Sequence, residues 1–115
     1  HYRAFKRISV SGNWKTNVGA SILQEIECAP HYRRWAELAG QHMFGGMDVL
    51  AVDAIHAPDG REYVIEVNDC CIELAPDREQ EDLMHLRDLI VDRLEEDLCV
   101  QGGGGRTRSV GRPSM

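Results

Sequence analysis

Two carboxylates and an amide form the pattern with the clearest chemistry in this sequence. Asp53 precedes a turn signal, Pro58-Asp59-Gly60, and Glu66 and Asn68 follow it. If Asp59-Gly60 is a two-residue hairpin turn, Asp53 and Glu66 face each other across the two strands. Facing residues have Cβ atoms about 4.5–5.5 Å apart, and like charges repel there. Asn68 lies on the same face, so the three groups predict an oxygen-rich site for a hard divalent cation.

Two alternatives to this cation site remain open. Pro58-Asp59-Gly60 also fits a three-residue turn with a bulge, and Glu66 would then lie on the face opposite to Asp53. Acids that flank a hairpin are also common on the solvated face of an antiparallel sheet. The spacing alone does not choose between these arrangements.

A polar loop offers a second candidate site. Apart from Trp14, residues 11–17 are small or polar, and they include Lys15, one of two lysines in a chain with eleven arginines. Backbone N–H groups and an ammonium both favour an anion, so the loop suits a phosphate, although it lacks the Walker A spacing. A solvent loop with an incidental lysine is the simpler description. On the preceding strand, Arg7 could add charge for phosphates or could belong to an exposed strand face.

Charge is divided unevenly along the chain. The 115 residues carry a formal net charge of −6. Residues 1–44 hold six Lys or Arg and three acids, whereas residues 45–100 hold four Arg and sixteen acids. The acidic middle argues against nucleic-acid binding, which needs a basic face. A basic first third beside an acidic middle suits a site for an anion and a cation, although solvated surface charge explains most of these residues.

Length and composition set broader bounds. The chain fits one domain, and no apolar run approaches the about 20 residues that a membrane helix needs. The four cysteines fit neither a zinc site nor a redox motif, so we expect a reduced, cytosolic protein. The chain starts without Met, inside a strand-like stretch, and we expect it to be a fragment of a longer protein.

Local patterns predict the elements that hold these residues. Residues 2–10 are β-prone, residues 11–19 form a loop, and residues 20–28 fit a short helix. A second helix starts at Pro30, which suits a first helical turn, and runs to about Met43.

The second half of the chain predicts a hairpin and a long helix. Residues 47–56 and 62–67 form the two strands. Asp77, with Gln80, fits the capping box of a last helix that ends near Cys99. The apolar stripe of that helix comprises Leu83, Leu86, Ile90, Leu94 and Leu98. The glycine-rich residues after it are expected to be disordered.

Five segments of this sequence strongly resemble synapsins. They are His1-Tyr2-Arg3-Ala4-Phe5, residues 9–17 with the highly specific run Ser-Gly-Asn-Trp-Lys-Thr-Asn, Phe44-Gly45-Gly46-Met47-Asp48, Asp59-Gly60-Arg61 and Ile65-Glu66-Val67. The resemblance covers residues 1–100 and implies the second half of an ATP-grasp domain. We therefore expect an α+β fold with an antiparallel sheet and helices packed on one side, followed by a disordered Gly/Arg/Ser tail over residues 101–115.

The resemblance also implies a ligand for each candidate site. Synapsins bind ATP with a divalent cation, which is Ca2+ in some members. Lys15, with Asn17 in the same loop, would contact the nucleotide, and Arg7 would contact phosphate or the acceptor side. Asp53 and Glu66 would hold Ca2+ or Mg2+. ATP-grasp enzymes use an acid followed thirteen residues later by Glu-x-Asn, which adds Asn68 to the cation ligands.

Synapsins are phosphoproteins on the cytoplasmic face of synaptic vesicles in the presynaptic terminal, where they cluster vesicles and regulate neurotransmitter release. The resemblance implies the same role, peripheral membrane contact and homo-oligomers formed through the complete domain. No catalysis is established for synapsins, and the alternative is an ATP-grasp carboxylate–amine ligase that forms an acyl-phosphate. Ser109 matches a basophilic kinase site. Because the first half of an ATP-grasp fold is missing, we expect this chain alone to bind ATP weakly or not at all.

The resemblance is incomplete at the cation site. Vertebrate synapsins have Glu where Asp53 stands, and Val-Gly-Ser-Ser where Asn68-Asp69-Cys70-Cys71 stands. Asn68 makes this chain more similar to a generic ATP-grasp ligase at that position.

Overall fold

The elements of the chain are two antiparallel strand pairs and two helices. The computed structural model describes residues 1–12, 19–70 and 72–102. The elements are β1 (Ala4–Ser9), β2 (Ser21–Ile26), α1 (Pro30–His42), β3 (Leu50–His56), β4 (Glu62–Asp69) and α2 (Glu79–Gly102). Strand β1 pairs with β2, and β3 pairs with β4, both antiparallel. The predicted α+β class is confirmed. The chain divides into two compact units, His1–Glu79 and Gln80–Met115.

The first hairpin corrects one prediction. Strand β1 lies where a strand was predicted, but the helix predicted over residues 20–28 is wrong, because Ser21–Ile26 is strand β2. Ile8 faces Ile22 and Arg7 faces Leu23 across the pair. The Leu, Gln and Glu of this segment favour a helix by intrinsic propensity. Six residues gain little from helix formation alone, so pairing with the neighbouring strand decides the conformation.

Helix α1 is confirmed, with bounds within a residue of the prediction. Pro30 occupies the first turn, where its fixed φ fits and its missing N–H costs nothing. At the other end, the N–H of Met43 donates to the carbonyl of Ala39 at 2.9 Å. Phe44, Gly45 and Gly46 then adopt positive φ values, which turn the chain toward β3.

Helix α1 contacts β3 closely at Gly40. The N–H of Met47 donates to the Gly40 carbonyl at 2.7 Å. A Cβ at Gly40 would lie 3.1 Å from the Met47 carbonyl oxygen and 3.2 Å from a methyl of Leu50. This close approach favours glycine at this position of the helix, where α1 meets β3.

Ionic contacts supplement a small core in the first unit. Among the described residues, Ala39 and Ala75 are the buried hydrophobic side chains. The Arg3 guanidinium lies 2.7 Å from the Glu25 carboxylate across the first hairpin. The Arg33 guanidinium lies over the Tyr2 ring at 4.6 Å, which links the start of the chain to α1.

Helix α2 is longer than predicted. It starts at Glu79 and continues past the predicted end near Cys99 to Gly102. Asp77 lies two residues before the helix with φ of 64°, so it is not the residue directly preceding the first turn. Within the part of the chain that the structure describes, neither helix combines the length and hydropathy that crossing a membrane requires.

The predicted tail falls almost entirely outside the described residues. Gln101 and Gly102 are helical, and residues 103–115, including Ser109, lie beyond the described range. The domain boundary between residues 100 and 101 therefore stays a prediction.

Candidate functional site

The turn of the second hairpin has three residues. Ala57 and Arg61 close it through a hydrogen bond of 2.8 Å from the Ala57 N–H to the Arg61 carbonyl. Asp59 accepts the Arg61 N–H at 3.0 Å, and Gly60 has φ of 85°, a conformation that favours glycine. The two-residue turn is wrong, and the alternative of a three-residue turn is the one that forms.

A bulge farther along β4 nevertheless restores the predicted pair. Near the turn, His56 faces Glu62 and Ala54 faces Val64. The register then shifts, because β4 contains one extra residue, Ile65, between Val64 and Glu66. Asp53 consequently faces Glu66, as predicted. The three-residue turn alone would put Glu66 on the face opposite to Asp53. The extra residue in β4 offsets this change, so the two carboxylates face each other across the strands.

The second hairpin has one face toward α1 and one face away from it. Val52, Val64 and Val67 line an apolar groove together with side chains of α1. Because side chains alternate along a strand, Asp53 lies on the other face, opposite Glu66. Asn68 faces Ala51 on that same side. The structure therefore brings all three predicted cation ligands to one face of the hairpin.

The donor chemistry of this face fits a hard cation. Among the described residues, neither the Asp53 nor the Glu66 carboxylate forms a hydrogen bond or ion pair. The described residues contain no cluster of three His, Cys, Asp or Glu side chains suited to a metal. The third predicted ligand is the Asn68 amide oxygen. Two carboxylates and one amide leave coordination positions open for water or phosphate oxygens, as magnesium and calcium sites with nucleotides require.

Arg7, the predicted phosphate contact, forms an ion pair within the first unit. Its guanidinium contacts both carboxylate oxygens of Glu73 at 3.0 Å. The Ser21 hydroxyl lies 3.4 Å away. The charge of Arg7 is thus matched by an acid, and a bound phosphate would compete with Glu73 for the same N–H groups.

The loop predicted to contact the nucleotide connects β1 to β2. The N–H of Val10 donates to the carbonyl of Ala20 at 3.1 Å, which extends the pairing beyond Ser9 and Ser21. Lys15 and Asn17 lie outside the described residues, and their roles stay predictions.

Sequence reasoning missed a polar cluster between β4 and the first turn of α1. The Glu62 carboxylate lies 3.0 Å from Nε2 of His31. The Tyr32 hydroxyl donates a hydrogen bond to Glu62, which holds the pKa of Glu62 below its usual value and raises the pKa of Tyr32. No acid lies in the first turn of α1 itself, and Glu62 supplies one from β4. The aromatic His31-Tyr32 pair beside Pro30 was the signal available in the sequence.

The groove between α1 and the hairpin is apolar and open. It encloses about 310 Å³ and is lined by Trp35, Leu38, Ala39, His42, Met43, Val52, Val64 and Val67. The inner face of the hairpin therefore supplies packing, whereas the outer face carries the predicted cation ligands.

Comparison with known proteins gives two matches. A family model described as "Synapsin, ATP binding domain" matches residues 1–96. A protein of Drosophila melanogaster named Synapsin is 36% identical over all 115 residues of this chain. The chain spans 10% of the length of that relative.

Proposed function

The chain belongs to the synapsin family, with its ATP-binding domain, and from this membership we propose that it binds ATP together with a divalent cation, Ca2+ or Mg2+. The observation that carries the proposal is the pairing of Asp53 with Glu66 on the hairpin face away from α1. Two facing carboxylates that have no partners among the described residues repel each other, and a cation removes that repulsion.

We assign the following roles to the residues of the site. Asp53, Glu66 and Asn68 hold the cation, and Lys15 and Asn17 contact the nucleotide from the loop between β1 and β2. Arg7 contacts phosphate, which replaces Glu73 as the partner of its guanidinium. The cation, when bound, would neutralise charge on the nucleotide phosphates and on the two carboxylates.

For the role in the cell, we propose the one that the resemblance to synapsins implies. The protein is a phosphoprotein of the presynaptic cytoplasm that lies peripherally on synaptic vesicles, clusters them and regulates neurotransmitter release. It forms homo-oligomers through the complete domain, and the bound nucleotide regulates this scaffold instead of being turned over.

A titration of ATP into the full-length protein tests this function. Calorimetry is carried out with Ca2+, with Mg2+ and with chelator, for the wild type and for Glu66→Ala. We expect ATP binding to require a cation in the wild type and to weaken strongly in the variant. ATP binding that is indifferent to both the cation and the substitution would contradict the proposed site.

One observation favours a second function, an ATP-grasp carboxylate–amine ligase. Asn68 follows Glu66 by two residues and shares its face, which matches the Glu-x-Asn pattern of the enzymes. Incubation of the full-length protein with ATP, carboxylates and amines tests this alternative. An amide product with release of phosphate would establish the ligase, whereas ATP binding without product supports the regulated scaffold.

A further inference from the structure

The bulge at Ile65 separates two carboxylates that a regular strand would place on one face. Glu62 and Glu66 are four residues apart in β4, and residues at even spacing share a face when side chains alternate regularly. In the structure, Glu62 contacts His31 of α1, whereas Glu66 faces Asp53 on the outer face. The extra residue therefore gives the two acids different surroundings.

The valines of β4 show the same interruption in the alternation of side chains between the two faces. Val64 and Val67 are three residues apart, a spacing that puts side chains on opposite faces of a regular strand. Both nevertheless line the groove beneath α1. The bulge thus keeps the inner face apolar on both of its sides while it turns Glu66 outward.

Packing of Ile65 itself does not account for the extra residue. Ile65 is 61% exposed. A bulge leaves one residue out of the ladder, bends the strand and increases its local twist, and bulges often re-aim side chains next to functional sites. Here the shift falls directly beside the Asp53–Glu66 pair.

We propose that the Ile65 bulge is the positioning element of the cation site, because its bend aims the Glu66 carboxylate at a cation shared with Asp53. This inference rests on the proposed function, since it requires that the pair binds a cation. Ile65 acts through the backbone and touches neither cation nor nucleotide in this role.

Deletion of Ile65 removes the bend of β4 and leaves the pairing of the hairpin unchanged, so it tests the effect of the bend. Joining Val64 to Glu66 leaves every facing pair from His56–Glu62 to Leu50–Asp69 in place and every side chain on its present face. We expect Ca2+ affinity, measured by calorimetry on the full-length protein with ATP, to fall about tenfold to a hundredfold, as for other changes around metal ligands. Ile65→Val keeps the bulge and should bind Ca2+ like the wild type.

A second variant removes the bulge while it keeps the length of the chain. Ile65 is deleted and one Gly is inserted after Gly60, so that the extra residue lies in the turn and the facing pairs from His56–Glu62 to Leu50–Asp69 are retained. We expect the same loss of Ca2+ affinity. Amide hydrogen exchange of β3 and β4, measured in chelator, reports whether the hairpin is intact in each variant.

The possible outcomes distinguish failure of the positioning role of the bulge from failure of the proposed cation-binding function. Wild-type Ca2+ affinity in either variant with a protected hairpin would overturn the positioning role. Loss of hairpin protection in both variants would also overturn it, because the bulge would then be required for folding. If the wild type itself shows no cation dependence and Glu66→Gln changes nothing, the proposed function fails instead.

Discussion

The acids of the second hairpin differ residue by residue in the partners that they have. Glu62 accepts a hydrogen bond from Tyr32, and this contact, helped by His31, lowers the pKa of Glu62. A lowered pKa in the folded state means that the contact stabilises the fold above the unfolded-state pKa of about 4.3 and that this stability is lost as pH falls through the folded pKa. The pKa of Tyr32 is raised, chiefly by Glu62, so its contribution is present below about pH 10 and is lost as pH rises through the folded value.

Removal of the Tyr32 hydroxyl should therefore change the titration of Glu62. We expect the pKa of Glu62 to move up toward its ordinary value in Tyr32→Phe, because the largest interaction that favours the carboxylate is lost. Carbon-13 NMR of the Glu62 side-chain carboxyl across acidic pH measures this directly. Tyr63→Phe is the matched control, since Tyr63 is the next residue of β4 and faces Ile55 on the outer side. An equal shift in both variants would show that the contact with Tyr32 is not the cause.

The ion pair between Arg7 and Glu73 gives a second prediction for single residues. If Arg7 exchanges Glu73 for a phosphate, Glu73→Gln should strengthen ATP binding, because the competing charge is removed. Both side chains are exposed, at 40% and 62%, so the gain should not exceed about fivefold, the equivalent of about 1 kcal/mol for a surface pair.

Calorimetry of ATP with Ca2+ measures the effect of this substitution. Arg7→Gln should change ATP affinity in the opposite direction. Unchanged affinity in both variants would remove Arg7 from the proposed site and leave its pairing with Glu73 as a structural contact.

At the scale of elements, the contact of α1 with β3 depends on the absence of a side chain at Gly40. Alanine is the better helix former by about 0.5–1 kcal/mol. A Cβ at this position, however, would lie 3.1 Å from the Met47 carbonyl oxygen, and the N–H of the same residue donates to the Gly40 carbonyl, which limits how far Met47 can shift. Overpacking of this kind costs about 1–3 kcal/mol, so we expect Gly40→Ala to destabilise the contact by about 1 kcal/mol.

Amide hydrogen exchange of α1 and β3 measures this loss. Gly102→Ala is the matched control, because a Cβ at Gly102, also in a helix, meets nothing within 4 Å. The control should keep or slightly raise protection of α2. Faster exchange in α1 and β3 of Gly40→Ala alone supports the close approach, and wild-type exchange would contradict it.

The elements that sequence predicts well are those with strong local signals. Pro30 and the Gly45-Gly46 pair mark both ends of α1, and Pro58-Asp59-Gly60 marks the turn of the hairpin. Strand β2 was mistaken for a helix because its Leu, Gln and Glu fit a helix, and only pairing with β1 makes it a strand.

The facing of Asp53 and Glu66 follows from the sequence through a register that is only partly correct. The two-residue turn is wrong, yet Asp53 faces Glu66 because the Ile65 bulge offsets the longer turn. The adjacent apolar residues Val64 and Ile65 break the alternation of β4, and this break is the one sequence signal of the bulge. Its exact position depends on which valines pack beneath α1, which is a tertiary property.

At the scale of the whole molecule, the distribution of negative charge bears on how the proposed site would bind a nucleotide and a cation. The stretch from residue 45 to residue 100 holds sixteen acids and four arginines, and it includes the Asp53–Glu66 pair. Elsewhere in the first unit, acids such as Glu25 and Glu73 are matched by arginines. An anionic nucleotide without a cation would therefore be repelled both by the pair and by the net negative charge of the chain.

Electrostatic repulsion of this kind predicts how salt affects the cation dependence of ATP binding. The ratio of ATP affinity with Ca2+ to ATP affinity in chelator should shrink as KCl rises from about 0.1 M to about 1 M, because the Debye length falls from about 10 Å to about 3 Å. In the double variant Asp53→Asn/Glu66→Gln the ratio should be smaller and nearly independent of salt, since the repulsion that the cation relieves is already gone. Fluorescence or calorimetric titrations of the full-length protein at both salt concentrations measure the ratio. A ratio that is unchanged by salt in the wild type, or that persists in the double variant, would mean that the cation acts somewhere other than this pair.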